Sequence, residues 1–418
     1  MLHLFKRCLL LPVMLVVSAA MAQPVAQNGV LDARLFDFSG HRLALNGVWA
    51  WYDNELVAPA QTTEKPAWVA FPQTWNDARL SRSGQGVATY SLLVLLPAEA
   101  QRFGIELPQI YSSYRLWANG KLIAENGVPG ISEVFTVPQW MPQTVYCEAR
   151  DSMRLTLQIA NFHHHKGGCK DPIFLGSEST MRTKESIAMT SKLAECGLLI
   201  LLALMFLAIY WAHGRKKVVI YFSLLCATWA VRSLFSNDYT FISLVPDFDW
   251  NTMVRIEYIT LYLTMIWAIL FLGRLFANDG SQIVKYVLVT LNGIFIAFTV
   301  LNPPVYFTKM LAVYLFTSGL LLLYGAIIVV RALINERAGA TFLTLSTLLA
   351  IAIFSYDIFT YEGWFSYNSI VFSAGYLVIF VLMAIALLIH LNIISAGGKG
   401  SNMLTYEDLY GESAAGRK

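Results

Sequence analysis

Three consecutive histidines, His163, His164 and His165, with Cys169 and Asp171 just downstream, are the densest group of chemically capable side chains in this 418-residue sequence. Imidazole is the commonest metal ligand, and thiolate or carboxylate completes many metal sets. Successive strand side chains point to opposite faces, however, so a continuing strand keeps the three rings from one ion. No metal is therefore expected, and a structural or rim role is the alternative for the triplet.

The cysteines carry a second chemistry. Cys8 falls in the N-terminal apolar run; Cys147 and Cys169 lie before the first membrane-length segment, and Cys196 and Cys226 lie within such segments. A disulfide between Cys147 and Cys169 is expected in an oxidising compartment. It would close a loop of 21 intervening residues and add on the order of 3 kcal/mol if unstrained. Two free thiols are the alternative, and Cys196 and Cys226 read as apolar packing.

Aromatic rings offer faces on which sugar C–H groups stack, and Trp49, Trp51, Trp68, Trp75, Tyr111, Tyr114, Trp117 and Trp140 supply them. Most are expected in a core. The loop residues Trp75, Asn76, Tyr111 and Trp140, with His163, His164 and His165, are the expected binding rim. Hydrolysis fares worse. Glycoside cleavage needs two facing carboxylates, and nothing selects a pair among Asp53, Glu55, Glu106, Glu125, Glu133 and Glu148. G-x-S-x-G and H-E-x-x-H are both absent. No catalytic residue, cofactor or enzymatic activity is expected.

These residues must be positioned by two very different kinds of element. The composition is 56% hydrophobic and 14% charged with a net charge of +3, and the mean hydropathy is +0.53. A nucleic-acid partner, which calls for clustered basic charge, is not expected. Seven apolar segments follow near 192–213, 217–236, 255–276, 284–303, 306–331, 340–360 and 369–394, each close to the roughly 20 residues a helix needs to cross a bilayer. The odd breaks carry Arg215, Lys216, Lys217, Arg274, Lys285, Arg331 and Arg337, whereas Asp238, Asp247, Asp249 and Glu362 mark the even ones. Basic residues collect on the cytoplasmic side, so the N-terminal part is expected outside and the C-terminus inside. Arg182, Lys184, Lys192 and Arg255 are exceptions that do not reverse the count.

Polar residues within spans are costly and mark function or packing. Glu195, Arg232, Glu257, Asn292, Asp357 and His390 are of this kind. Arg232 is expected to pair with Glu257, Asp357 or Glu195, as a coupling element or as a static pair.

The N-terminal half reads differently. Residues 1–22 have the charged start, apolar run and Ala20-Met21-Ala22 of a secretion signal. In 23–180, strand-like runs at 43–52, 67–71, 88–96, 101–107, 113–118, 121–125 and 153–161 alternate with turn residues. Asn119-Gly120 sits between two of them as a hairpin turn. This predicts one exported β-sandwich or jelly roll at 23–180, a linker at 181–191, a seven-helix domain at 192–395 and a short cytoplasmic tail at 396–418.

The phrases LNGVWAWY, FPQTWND, GVATYSLLVLLP and SSYRLWANGKLIAENG resemble the galactose-binding-like jelly roll of some glycosidases. With LQIANFHHHKGGCKDPIFLG and seven spans downstream, residues 40–395 resemble the bacterial seven-transmembrane receptors with diverse intracellular signalling modules. The resemblance implies an extracellular domain that senses carbohydrates or related small molecules, and it places the histidine triplet in a shared turn. Members usually continue into a kinase, a diguanylate cyclase or another output module, and about 23 residues here are too few for one. Unless the sequence is a truncated form, the expected partners are therefore the ligand, the bilayer of a bacterial inner membrane and a separate signalling protein such as a kinase or cyclase, with homodimerisation left open. An accessory subunit of an envelope complex is the alternative. Transport is disfavoured, since no internal repeat or pair of broken helices is evident.

Overall fold

The computed structural model describes residues 23–61, 66–76, 83–361, 365 and 367–394. The expected signal segment with Cys8, Glu362 and the tail at 396–418 lie outside the described residues. Two compact units emerge. The first takes in the described residues up to Thr190 with Asn237–Val254 and Asn302–Lys309; the second holds Ser191–Ser236, Arg255–Leu301 and the described residues from Met310 onward.

The first unit is built on strands β1 (Val30–Asp32), β2 (Arg42–Ala44), β3 (Gly47–Asp53), β4 (Ala67–Phe71), β5 (Gln73–Thr74), β6 (Gly86–Leu95), β7 (Gln101–Leu107), β8 (Ile110–Tyr111), β9 (Ser113–Ala118), β10 (Lys121–Asn126), β11 (Gln143–Ala149), β12 (Ser152–Asn161), β13 (Gly168–Cys169) and β14 (Phe174–Ser177). One sheet has the order β10-β9-β12-β6-β3-β4, with β1 pairing β6 in parallel, and a second has the order β11-β7-β14-β2. Side chains of both sheets, among them Trp49, Tyr90, Leu155, Phe103 and Ile105, form one core, which defines a β sandwich. A small third sheet, β5-β13-β8, lies beside them.

Asn119 and Gly120 both have positive φ, as the hairpin between β9 and β10 requires. The single strand expected over 43–52 is two strands in different sheets. At the break Gly47 has φ +126°, and a Cβ there would lie 2.3 Å from the Ala26 carbonyl oxygen, so only glycine allows the chain to change sheets here.

Helices α1 (Glu178–Ala212), α2 (Lys217–Phe235), α3 (Thr240–Leu244), α4 (Trp250–Leu275), α5 (Gln282–Leu301), α6 (Pro304–Lys309), α7 (Leu311–Ile334), α8 (Ala340–Tyr361) and α9 (Ser369–His390) follow. All but α3 and α6 are long and apolar enough to cross a membrane. Leu204, Phe316 and Leu348 on these helices are each more than half exposed, as side chains facing lipid rather than water would be. The span expected over 306–331 is two helices, since α6 ends at Lys309 and α7 starts at Leu311.

The expected linker at 181–191 is helical and lies within α1. Ser177 Oγ accepts from the Thr180 N–H at 3.3 Å and starts the helix. Glu178 and Arg182 pair one turn apart at 2.8 Å. Met181, 2% exposed, anchors this first turn on the sandwich. Gly104 of β7 and Gly176 of β14 are direct cross-strand partners, and a Cβ on either would come within 2.8 Å of the Met181 side chain. The paired glycines thus leave a slot for a thioether. Gly104→Val should destabilise the full chain by about 1–3 kcal/mol, as overpacking does, visible as a lowered melting temperature of the β unit.

Candidate ligand-coupling site

The histidine triplet follows β12, whose last residue, Asn161, is fully buried. The Asn161 amide nitrogen donates to the carbonyls of Gly84, His164 and Lys166 at 2.6, 2.8 and 2.9 Å, while Oδ1 accepts from the His164 N–H at 3.1 Å. One side chain therefore folds 162–166 into a tight turn. Asn76 holds the far side, donating to the His165 carbonyl at 3.0 Å and accepting from Gly167 N–H at 3.1 Å.

Within this turn the histidines part company. The His164 ring is buried and stacks on Tyr111, centroids 4.6 Å apart and planes 8° from parallel. Its Nδ1 accepts from the Lys166 N–H at 3.0 Å. Burial holds the imidazole neutral and pulls its pKa down to about 3. Burial also lowers His163 and His165, and the Lys309 ammonium adds to the effect on His165. Among the described residues no group of three His, Cys, Asp or Glu side chains is placed to hold a metal ion.

Trp140 completes the stack. Its ring lies edge-on to Tyr111 at 5.8 Å and to His164 at 5.2 Å, and meets Tyr239 at 5.5 Å and Trp250 at 5.4 Å. Tyr239 lies in the segment between α2 and α4 and Trp250 is the first residue of α4, so aromatic side chains from the sandwich, from a connection between membrane-length helices and from the start of one of them share one cluster. Three hydrogen bonds reinforce it. Gln139 Nε2 donates to the Pro246 and Phe248 carbonyls at 3.1 and 3.3 Å, and the His165 N–H donates to Thr308 Oγ1 of α6 at 3.2 Å.

The structure thus brings Tyr111, Trp140, His163, His164 and His165 together but buries much of the expected open rim. Tyr111, Trp140 and His164 are no more than 4% exposed. Trp75 is fully buried in the sandwich core, donating to the Tyr90 hydroxyl at 2.8 Å, and leaves the rim altogether. The expected disulfide is absent: Cys147 packs on Met153 Sδ at 3.7 Å, and Cys169, on the small sheet, donates to the Asp171 carbonyl at 3.2 Å. The two thiols stand on strands of different sheets, and burial pushes the Cys169 thiol up, away from reactivity. Glu106 and Glu125 are tied to Arg42 and Arg115 at 2.5 and 2.6 Å.

A second cluster lies among the long helices. Glu195 is fully buried and receives Lys192 Nζ at 3.3 Å, Trp229 Nε1 at 3.2 Å and Ser373 Oγ at 2.7 Å, joining α1, α2 and α9. Lys192, expected as an outer-face exception, is thus the partner of Glu195 in place of Arg232. Arg232 donates instead to the backbone carbonyl of Glu257 at 2.9 Å and lies 5.9 Å from the Trp229 ring. Asp357 is half-buried on α8. The i,i+3 spacing of Lys192 and Glu195 at the start of an apolar run was the available signal. Asn161 and Trp250, by contrast, gain their roles from long-range folding.

A β sandwich joined to seven membrane-length apolar helices defines a multi-pass membrane protein. Residues 192–390, which hold the seven-helix segment, match the family described as 7TM diverse intracellular signalling. No curated protein sequence matches the chain. Similar solved structures include Faecalibacterium prausnitzii beta-glucuronidase, with 16% identity over 32% of this chain and 31% of that one at a TM-score of 0.26. A glycosyl hydrolase family 2 member from Bacteroides cellulosilyticus shows 11% identity over 32% and 20% at 0.26. Ruminococcus gnavus beta-glucuronidase shows 14% identity over 32% and 28% at 0.26. The matched part spans less than a third of each of these enzymes.

Two outcomes follow from these clusters. Glu195→Ala leaves the Lys192 ammonium buried without its carboxylate and should cost about 3–5 kcal/mol, most of it recovered in Lys192→Met/Glu195→Leu; thermal unfolding of the reconstituted chain reads both. His164 binds a proton near pH 6.5 when unfolded and near pH 3 when folded. The unfolded state therefore gains protons first, and His164's contribution is intact above about pH 6.5 and falls by up to about 1.4 kcal/mol per pH unit below it. His164→Phe should flatten that slope between pH 6.5 and 4.

Proposed function

We propose that this chain is a membrane receptor that senses a carbohydrate-like or other polyhydroxylated small molecule at the Tyr111–Trp140–His164–Trp250 cluster. Binding is passed through the seven-helix bundle to a separate signalling protein such as a kinase or diguanylate cyclase. The β domain, read as residues 23–180, stands on the periplasmic side of a bacterial inner membrane in this reading, because basic residues mark the odd breaks between helices.

One observation carries the choice of site. Five buried side-chain polar atoms at this edge lack a partner among the described residues: Ser112 Oγ, Asn126 Oδ1, Trp140 Nε1, His163 Nδ1 and Trp250 Nε1. Gln139 and Trp140 knit them together, since Gln139 N–H donates to the Ser112 carbonyl at 2.9 Å and Asn126 Nδ2 to the Gln139 carbonyl at 2.7 Å. Each unpaired buried group costs about 1–3 kcal/mol. Donors and acceptors set around ring faces match a molecule that has both hydroxyls and C–H faces. Because Tyr239 and Thr308 come from connections between membrane-length helices and Trp250 opens α4, a guest among these rings changes what those segments touch.

Titration of the full chain in nanodiscs with a panel of envelope-derived saccharides, followed by tryptophan fluorescence, tests this. A saturable shift is expected, weakened by about tenfold or more in Trp140→Phe and in Trp250→Phe, with cooperative unfolding retained. A well-folded chain indifferent to the whole panel would sink the ligand assignment.

A further inference from the structure

The connection from β10 to β11 carries an unusual tip. Val128 and Val137 bridge each other through two backbone hydrogen bonds of 2.8 and 2.9 Å, closing the segment between them. Thr136 Oγ1 holds the tip from inside, donating to the Gly130 and Ser132 carbonyls at 3.1 and 2.8 Å. The fold is thus fixed by its own backbone, yet it turns its apolar side chains outward. Val134 is 88% exposed, Ile131 73%, Phe135 67% and Val137 55%. Clustered exposure of this kind on an ordered element marks an interaction surface.

The position of the tip identifies what covers it. Two residues past Val137, Gln139 is hydrogen-bonded to the Pro246 and Phe248 carbonyls, and Phe248 lies two residues before Trp250, where the membrane-length helix α4 begins. The Glu133 carboxylate within the tip acts on His163, whose ring is 6.2 Å from that of Trp250. Leu244 and Val245, in the connection that precedes α4, are also apolar and 54% and 42% exposed. A bilayer surface meets the chain where a spanning helix starts, and apolar side chains there bury into the headgroup and acyl boundary.

We infer that the 128–137 tip dips into the lipid leaflet on the β-domain side, with Ile131, Val134 and Phe135 as its anchors. Lipid, rather than a protein, is the occupant. The tip would thereby fix the height of the sandwich above the bilayer, whatever molecule the aromatic cluster binds.

Benzoylphenylalanine placed at Phe135 or Val134 in the full chain, reconstituted in phosphatidylethanolamine and phosphatidylglycerol vesicles and illuminated, tests this by intact-protein mass. Lipid adducts are expected at both positions and lost at Leu35, which is fully exposed elsewhere on the sandwich. Adducts only to a second copy of the chain, or equal lipid labelling at Leu35 and Phe135, would overturn the inference. Phe135→Asp serves as a check on folding: it should keep the melting temperature of the detergent-solubilised chain, while a loss of folded protein would show that the ring packs inside and would equally overturn it.

Discussion

The buried amide of Asn161 is the interaction on which the working edge of the β domain depends. A primary amide can donate two hydrogens and accept at one oxygen, and here both capacities are spent on the backbone of the 83–85 and 162–166 segments. Without those bonds several buried carbonyls would be orphaned at once, a larger loss than any single contact. The turn it holds decides that His164 faces Tyr111 and Trp140, while the His165 backbone reaches Thr308. A triplet that resembles a metal motif is thereby divided between stacking and backbone contacts.

The helices obey a different constraint. In an apolar surrounding each polar group must find a partner, so the few that are present specify which helices neighbour one another. Glu195 does this for α1, α2 and α9, and Asn292 receives the Tyr314 hydroxyl at 3.2 Å to join α5 and α7. Asp279, nearly buried, accepts from Asn335 at 2.6 Å and Arg337 at 3.2 Å, linking two of the odd breaks. Hydrogen-bonded pairs of this sort have discrete alternatives, which packed Leu and Val side chains lack. A bundle that must rest in one arrangement and move to another has reason to carry them.

The seven spans were legible because hydropathy over 20 residues is a local property. The strands at 67–71, 101–107 and 113–118 were legible for a similar reason, since each is bounded by turn residues. Gln143–Ala149 was not, because it is an edge strand whose residues are mostly half-buried on both faces, leaving no alternation to read. The start of α1 was hidden as well. Its first turns are polar like a linker, and only the glycine slot under Met181 shows why they are helical. The rim was misjudged at Trp75 because loop-like sequence neighbours do not reveal that its indole points to Tyr90. Tyr239 and Trp250 could not be assigned from spacing, for they lie more than 95 residues from Trp140.

The unpaired atoms at the aromatic edge set the direction of the proposed coupling. A ligand moves an equilibrium only by the difference between its affinities for the two states. In the arrangement described, the Trp140 ring already meets those of Tyr239 and Trp250, so a guest that enters among them parts these contacts. Parting them forfeits ring contacts of about 0.5–1.5 kcal/mol each. It supplies partners to groups whose isolation costs about 1–3 kcal/mol each. With five such atoms on the edge, pairing outweighs lost stacking, and the surplus is comparable with the roughly 5.5 kcal/mol that inverts a 1:99 equilibrium. Under the proposed function, a purely apolar guest would meet the same cost without that return, which favours a ligand that carries hydroxyls.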